Sequence, residues 1–484
     1  MANIKLYALG LILAAGTMSA GAEERKPNIV LIMADDLGWT DLGCTGSKYY
    51  ETPNLDKLAS QGMKWQRYYT CQNCAPTRAA LMSGQYAPRT GIYTVGTLER
   101  GRDADRKMVP PKNGTNLPLE KITVANALKK GGYVTGMFGK WHLGNAKEYH
   151  PGQRGFDEAI VCDGRHFDFP TTPKTETKPG EYLADFLTDR AVDFIERQRD
   201  KPFFLYLPHF GVHSPLQAKA DKIAKFQQKP TVGGHNNAVY AGMIESVDDS
   251  VGRIMAKLDE LKLAEHTLLI FTSDNGGLGG YPVPGTDQRK GTTDNFPLRG
   301  GTGMLYEGGV RVPFIVRWPG HTTAGSLCHT PAMCIDLYPT FLDAAGAPAD
   351  PQHKLDGVSL ASLFRNPQAD LSRPALFWHM PGYLEAYIKE DTWRTTPVSV
   401  IQAGDFKLLE YLEGPRLELY NIREDLGQTQ NLASEMPDKV RELHAQLQSW
   451  QTSTNALMPR PKTEKELANP NQSPAKKKRA KQAK

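Results

Sequence analysis

Cysteine is scarce in this chain. Six of 484 residues (Cys44, Cys71, Cys74, Cys162, Cys328 and Cys334) are too few for a disulfide scaffold in an exported protein of this size. Cys328 and Cys334 are near enough in sequence for a local bridge, and nothing in the spacing decides it. Long apolar runs are also missing. The run from Leu6 to Ala15 is too short to span a bilayer and no later stretch approaches the length needed, which argues against stable membrane insertion. A one-signed charge excess on the body is lacking as well. Six of the last ten residues are Lys or Arg, and taking these and Lys5 from the formal +5 leaves the body at about −2. A nucleic-acid-binding face would need basic charge on the folded surface, so that class is disfavoured. No internal repeat is present.

What is present suits a large enzyme core. Hydrophobic residues make up 40% of the chain and aromatics 9%, enough for two or three domains or for one large α/β unit with a satellite. Lys5, the apolar run and Ala20-Gly21-Ala22 read as an export signal over 1–22, which predicts a periplasmic or secreted protein. Residues 23–374 alternate buried-strand runs with helical patterns, the order of a largely parallel sheet flanked by helices. Residues 375–462 change texture to short strands joined by turns, then a helix near Lys439 to Trp450, which predicts a small antiparallel sheet with a helix. Residues 463–484 read as a basic disordered tail.

Four predicted strands each deliver polar or ionisable residues at the carboxyl end. Asn28 to Met33 leads to Asp35 and Asp36, and Tyr133 to Phe138 leads to Lys140 and His142. Phe203 to Leu207 leads to His209 and His213, and Thr267 to Thr272 leads to Asp274 and Asn275. Ligands bind beyond the carboxyl ends of parallel strands, so these four clusters should converge. A fifth segment, Cys74-Ala75-Pro76-Thr77-Arg78, opens a helix carried forward by Ala79 to Met82. Proline suits a helix's first turn, and the N-terminal mouth of the helix gathers N–H groups that welcome an anion. Arg78, one turn later, can fork onto tetrahedral oxyanions. Two adjacent acids after a buried strand, Asp35 and Asp36, are costly unless they are paired or bind a metal. Arg299, Arg165, His166 and His379 are candidate substrate contacts on the loops and the C-terminal strands.

The Cys-Ala-Pro-Thr-Arg segment with its following Leu-Met-Ser-Gly resembles the signature of the formylglycine-dependent sulfatases, arylsulfatase-like members of the alkaline phosphatase superfamily. Pro27 to Gly43, Gly139 to Gly144, His213-Ser214-Pro215, Ser273 to Gly277 and Tyr306 to Pro313 fit the same family. The resemblance implies a sulfatase in which Cys74 is converted by a maturation enzyme to formylglycine (3-oxoalanine), whose hydrate is both nucleophile and metal contact. It implies metal ligation by Asp35, Asp36, Cys74, Asp274 and Asn275, and the three carboxylates and amide oxygen of that set are hard donors that suit Ca²⁺, or less well Mg²⁺, and not zinc. Arg78, Lys140, His142 and His213 would surround the sulfate, with His213 as general acid helped by Lys140 and His142 as candidate base. Export, the C-terminal unit and a loop-rich rim suit a sulfated carbohydrate better than a small aryl sulfate as substrate. One position departs from the family pattern: Thr302 stands where a lysine is usual. Arg299 or Lys290 could replace the missing cation. Two other readings stay open, a phosphatase or phosphodiesterase of the same superfamily and a non-catalytic binder of sulfated glycans.

Overall fold

A computed structural model describes residues 25–386, 393–414 and 416–468. The export signal and most of the basic tail therefore lie outside the described residues. Thr463 and the residues after it, read above as tail, instead begin a short helix, Glu464–Ala468, where the Thr463 N–H and hydroxyl both donate to Glu466.

An eight-stranded sheet runs in the order Ser326–Cys328, Met63–Trp65, Phe314–Arg317, Thr267–Ser273, Asn28–Ala34, Phe203–Pro208, Val134–Gly139 and Glu158–Val161. Phe314–Arg317 is antiparallel to both its neighbours, and every other pairing in the sheet is parallel. The central strand Asn28–Ala34 is buried along its whole length, as an unbroken apolar run requires when helices cover both faces. Its side chains alternate between two cores. Ile29, Leu31 and Met33 join the cluster that includes the helices Cys74–Ser83, Val124–Lys130 and Leu337–Ala345. Val30, Ile32 and Ala34 join the cluster built on Pro53–Gln61, Leu183–Arg197 and Ala238–Glu260.

Register places the site. Ala34 pairs with Ser273, Met33 with Pro208, and Met137 of the next strand with Tyr206. Neighbouring parallel strands thus end at one level, and the residues that follow each (Asp35, Asp274, His209 and Lys140) emerge along a single rim.

Leu376–Met380, Val398–Ala403, Phe406–Tyr411 and Arg416–Asn421 form a second, antiparallel sheet in sequence order, covered by the helix Pro437–Ser453. It shares one core with the main sheet and is pinned to it by polar contacts. Lys407 Nζ lies 2.8 Å from Glu307 Oε1 with both side chains fully buried, and Trp378 Nε1 donates to the Thr70 carbonyl at 2.7 Å. All six cysteines are free thiols. The local Cys328–Cys334 bridge left open by the sequence does not form: Cys328 Sγ faces the Pro367 carbonyl and Cys334 lies against Cys71.

Candidate active site

Asp35 and Asp36 leave the central strand and turn at once, Asp36 in the left-handed region at φ 59°. Asp35 is laced to the neighbouring strand's exit: its N–H donates to the Gly211 carbonyl (2.9 Å) and its carbonyl accepts from the Val212 N–H (2.7 Å). Those two bonds bring the loop carrying His213 over the carboxylates. Tyr240 Oη donates to the Asp36 carbonyl at 3.1 Å from the long helix behind, which fixes the turn.

One ligand atom from each of Asp35, Asp36, Asp274 and Cys74 lies within 4.8 Å of every other, and all four residues are buried. Cys74 opens the helix Cys74–Ser83 after the extended Asn73, and its Sγ lies 3.5 Å from Asp35 Oδ1. Burial, then the Asp35 charge, pushes this thiol's pKa well up. As an unmodified side chain it is a poor thiolate nucleophile.

Two cations are built into the wall. Arg78 is buried and donates from Nε (3.1 Å) and Nη2 (2.7 Å) to Asp274 Oδ2, from Nη2 to Asp35 Oδ2 (3.2 Å) and from Nη1 to the Lys140 carbonyl (2.7 Å). The fork expected to face an oxyanion is therefore spent on carboxylates. Lys140 Nζ sits 2.5 Å from Asp35 Oδ2, and although burial opposes its charge, Asp35 holds its pKa above the usual lysine value. Burial disfavours the charged form of Asp35 too, yet Lys140, His213 and Arg78 together hold its carboxyl well below the usual range. Asp274 goes the other way, raised to about 6 by burial and by the Asp35 charge.

Asn275 completes the floor. Its Nδ2 donates to Asp36 Oδ1 (2.6 Å), to the Gly276 carbonyl (3.0 Å) and to Thr302 Oγ1 (2.9 Å). Its Oδ1 is buried and accepts no hydrogen bond. A buried amide oxygen without a donor is costly. A cation among the three carboxylates would satisfy it, and an oxygen-only donor set of this charge fits Ca²⁺ or Mg²⁺.

The two histidines differ. His213 is about a third exposed, with Nε2 at 3.8 Å from Asp36 Oδ2 and Nδ1 at 2.6 Å from the Ser214 carbonyl. A carbonyl can only accept, so Nδ1 carries a proton and Nε2 is the atom turned to the pocket. His142 is held neutral, its pKa pressed down to about 3 by burial and then by the Lys140 and Arg78 charges.

The remaining candidates fall apart from this group. His379 is buried on the strand Leu376–Met380, with Nδ1 on Ser399 Oγ (2.8 Å) and Nε2 on the Leu457 carbonyl (2.9 Å). It is a packing residue and has no free edge for a sugar. His166 is buried too, and its Nε2 lies 2.9 Å from the His213 carbonyl, so it supports the backbone of that loop and contacts no substrate surface. Arg165 beside it is exposed. Arg299 Nη1 donates to Tyr420 Oη and to the Gln428 carbonyl (both 3.0 Å), away from the carboxylates. Lys290 is exposed on the two-residue strand Arg289–Lys290. Arg394 Nη1 donates to the backbone carbonyl of Thr302 at 3.2 Å. No motif or periodicity marks Arg394 in the sequence.

The strand ends of a mixed sheet thus converge on a buried acidic pocket, with a cysteine at a helix mouth against it. The Sulfatase family model matches residues 27–347, and the model described as N-sulphoglucosamine sulphohydrolase, C-terminal, matches residues 302–453. The chain belongs to the sulfatase family and is a sulfuric ester hydrolase. It is similar to a sulfatase of Formosa agariphila, 34% identical over 93% of this chain and 94% of that one. It is similar also to the human N-acetylgalactosamine-6-sulfatase, 33% identical over 80% of this chain and 76% of that protein. Among solved structures, Ps i-CgsB in complex with k-i-k-neocarrahexaose superposes with a TM-score of 0.73 at 29% identity, covering 88% of this chain and 93% of that one.

Proposed function

We propose that this enzyme removes sulfate from a sulfated carbohydrate, using Cys74 converted to formylglycine by a maturation enzyme and Ca²⁺ held by Asp35, Asp36, Asp274 and Asn275. The observation that carries the reading is the meeting of three carboxylates with the Cys74 Sγ, next to Asn275, which is bonded to Asp36 and whose Oδ1 is buried and unpaired. Similarity to a human enzyme named for a sulfated amino sugar, and to a structure holding a neocarrahexaose, supports the carbohydrate substrate.

Formylglycine at position 74 would supply, as its hydrate, a nucleophile with a second hydroxyl for release of sulfate, and a divalent cation held by Asp35, Asp36, Asp274 and Asn275 would offset anionic charge. The chain's own residues do the rest. Arg78 and Lys140 neutralise Asp274 and Asp35, which keeps the acidic floor assembled and leaves it tolerant of an anion. His213 gives the Nε2 proton to the departing alcohol oxygen, with its Nδ1–H anchored on the Ser214 carbonyl. Neutral His142, its Nδ1 buried and unpaired, accepts a proton in the second half of the reaction. The export signal read over residues 1–22 supports export to the periplasm or medium. Among the described residues no helix is long and apolar enough to cross a membrane.

Two measurements test the proposal on exported enzyme co-produced with a maturation enzyme. Mass spectrometry of the peptide spanning Cys74 should find sulfur lost from that residue, and only intact thiol there would remove the nucleophile. Turnover of a sulfate ester should exceed that of its phosphate analogue, and the reverse order would favour a phosphatase.

A further inference from the structure

Asp41 stands outside the acidic pocket and is nevertheless fully buried. Its Oδ2 accepts the Gly38 N–H (2.8 Å) and the Tyr240 hydroxyl (2.7 Å), and its Oδ1 accepts the Thr293 hydroxyl (2.8 Å). His235 Nε2 lies 3.5 Å from the same Oδ1 and 2.9 Å from the Asp294 carbonyl. A buried carboxylate met by so many donors fixes one arrangement of the segments that supply them. Asp41 takes no part in the proton transfers assigned to His213 and His142.

Those segments carry two of the residues proposed to hold the cation. On one side is the turn at Asp36, whose left-handed backbone is unfavourable for a residue with a side chain. The Asp36 N–H donates to Asp274 Oδ1 (3.2 Å), and its carbonyl lies 3.1 Å from the Tyr240 hydroxyl. That hydroxyl has one proton for two acceptors, and its shorter contact is with Asp41. Asp41 therefore sets where the phenol oxygen sits, and the phenol oxygen limits how far the Asp36 carbonyl can swing. A Cβ at Gly38 would fall 2.5 Å from Asn295 Oδ1 and 2.8 Å from Asp41 Oδ2, so the turn is closed around a glycine. On the other side, Thr293 leads to Asn295, whose Nδ2 is within 3.1 Å of the Gly277, Gly279 and Gly300 carbonyls. These carbonyls belong to the loop that leaves Asn275.

We infer that Asp41 and Tyr240 are positioning residues, which hold the Asp36 turn and the loop after Asn275 at the separation a divalent cation needs. The inference rests on the cation-binding reading of the pocket and adds to it the pair that sets its affinity from outside.

Calorimetric titration with Ca²⁺ tests this on full-length matured enzyme freed of metal by a chelator. Tyr240→Phe keeps the ring and removes the bridge, and Asp41→Asn removes the charge that holds the phenol. Each should raise the Ca²⁺ dissociation constant by about 10- to 100-fold, the usual effect of losing an outer partner of a metal ligand. Asp248→Asn is the control. Asp248 is buried on the same helix as Tyr240 but accepts from the Asn54 and Leu55 N–H groups, so its loss should lower Tm and leave the Ca²⁺ constant unchanged. Amide exchange over residues 34–42, read by mass spectrometry in metal-free protein, should quicken in Tyr240→Phe and not in Asp248→Asn. A dissociation constant unmoved in Tyr240→Phe, or raised as much by Asp248→Asn, would overturn the positioning role. A wild type that binds neither Ca²⁺ nor Mg²⁺ would sink the cation-binding reading itself, and the exchange comparison would then decide whether the pair holds the Asp36 turn.

Discussion

Arg78 and Asp274 meet through a single carboxylate oxygen: Oδ2 takes both the Nε and Nη2 hydrogen bonds, at 3.1 and 2.7 Å. The other oxygen, Oδ1, accepts the Asp36 N–H at 3.2 Å. One face of Asp274 is thus neutralised by the protein and the other is turned to the acidic pocket. The same division holds at Asp35, where Oδ2 takes Lys140 and Arg78 while Oδ1 faces Cys74. Each carboxylate has one oxygen committed to a fixed cation and one left for the centre.

Cation binding should therefore be visible as stability. At a hundredfold excess over its dissociation constant, a divalent ion stabilises the folded state by about 2.7 kcal/mol. Ca²⁺ added to chelator-treated wild type should raise Tm by a few degrees, and by more than Mg²⁺, which is slow to shed water and demanding in geometry. Asp274→Asn should lose that rise and lower kcat/KM by about 10²-fold or more. A Ca²⁺-induced rise equal in the variant and in wild type, read by scanning fluorimetry, would place the ion elsewhere.

Thr302→Lys restores the family's usual residue at a buried position already filled by the Asn275 and Gln72 contacts. We expect no gain in kcat/KM on a sulfated sugar, because the longer side chain would displace the contact between Asn275 Nδ2 and Thr302 Oγ1 on the pocket floor. The lysine should also weaken the Asn275 anchor, seen as a smaller Ca²⁺-dependent rise in Tm. A gain of about 10²-fold, the worth of one positioned donor, would instead mean that the cation is missing and uncompensated.

The pocket was legible because its residues follow buried apolar runs, and in-register parallel strands leave no freedom in where the next residue goes. Asp35, Lys140, His209 and Asp274 are adjacent for that reason alone. The histidines were harder. His379 and His166 lie among polar and aromatic neighbours in sequence, and nothing local tells a buried histidine with two partners from an exposed one. Three short strands, Met63–Trp65, Glu158–Val161 and Ser326–Cys328, carry too few residues for a pattern and exist because a sheet neighbour completes them. Arg394 acquires its place from the packing of the C-terminal sheet, which no window around it contains.

Buried histidines make a prediction for acid stability. Burial presses the pKa of His379 and of His209 down to about 4. A depressed histidine stays neutral when folded while the unfolded chain takes up a proton. Its contribution is complete above the unfolded value near 6.5 and is lost as pH falls from there to about 4. Each group should cost roughly 3 kcal/mol across that window. Unfolding followed in urea from pH 7 to 4 should show the loss, and His379→Gln should flatten the slope by about one proton without changing KM. A changed KM with an unchanged slope would return His379 to the substrate surface.

The leaving-group dependence isolates His213. Its Nε2 is the pocket-facing nitrogen, its Nδ1–H is held by Ser214, and His166 fixes the carbonyl of the same residue. A general acid matters most when the departing oxygen is a poor leaving group, and contributes typically 10²–10⁴-fold, of order 10³. His213→Ala should therefore lower kcat/KM by about that factor on a sugar sulfate, and by about tenfold or less on a nitrophenyl sulfate, whose phenolate departs unaided. His166→Ala, acting only through the loop, should shift both substrates by the same factor. Equal losses on the two substrates in His213→Ala would strip that residue of its proton-donor role and leave it as an anion contact.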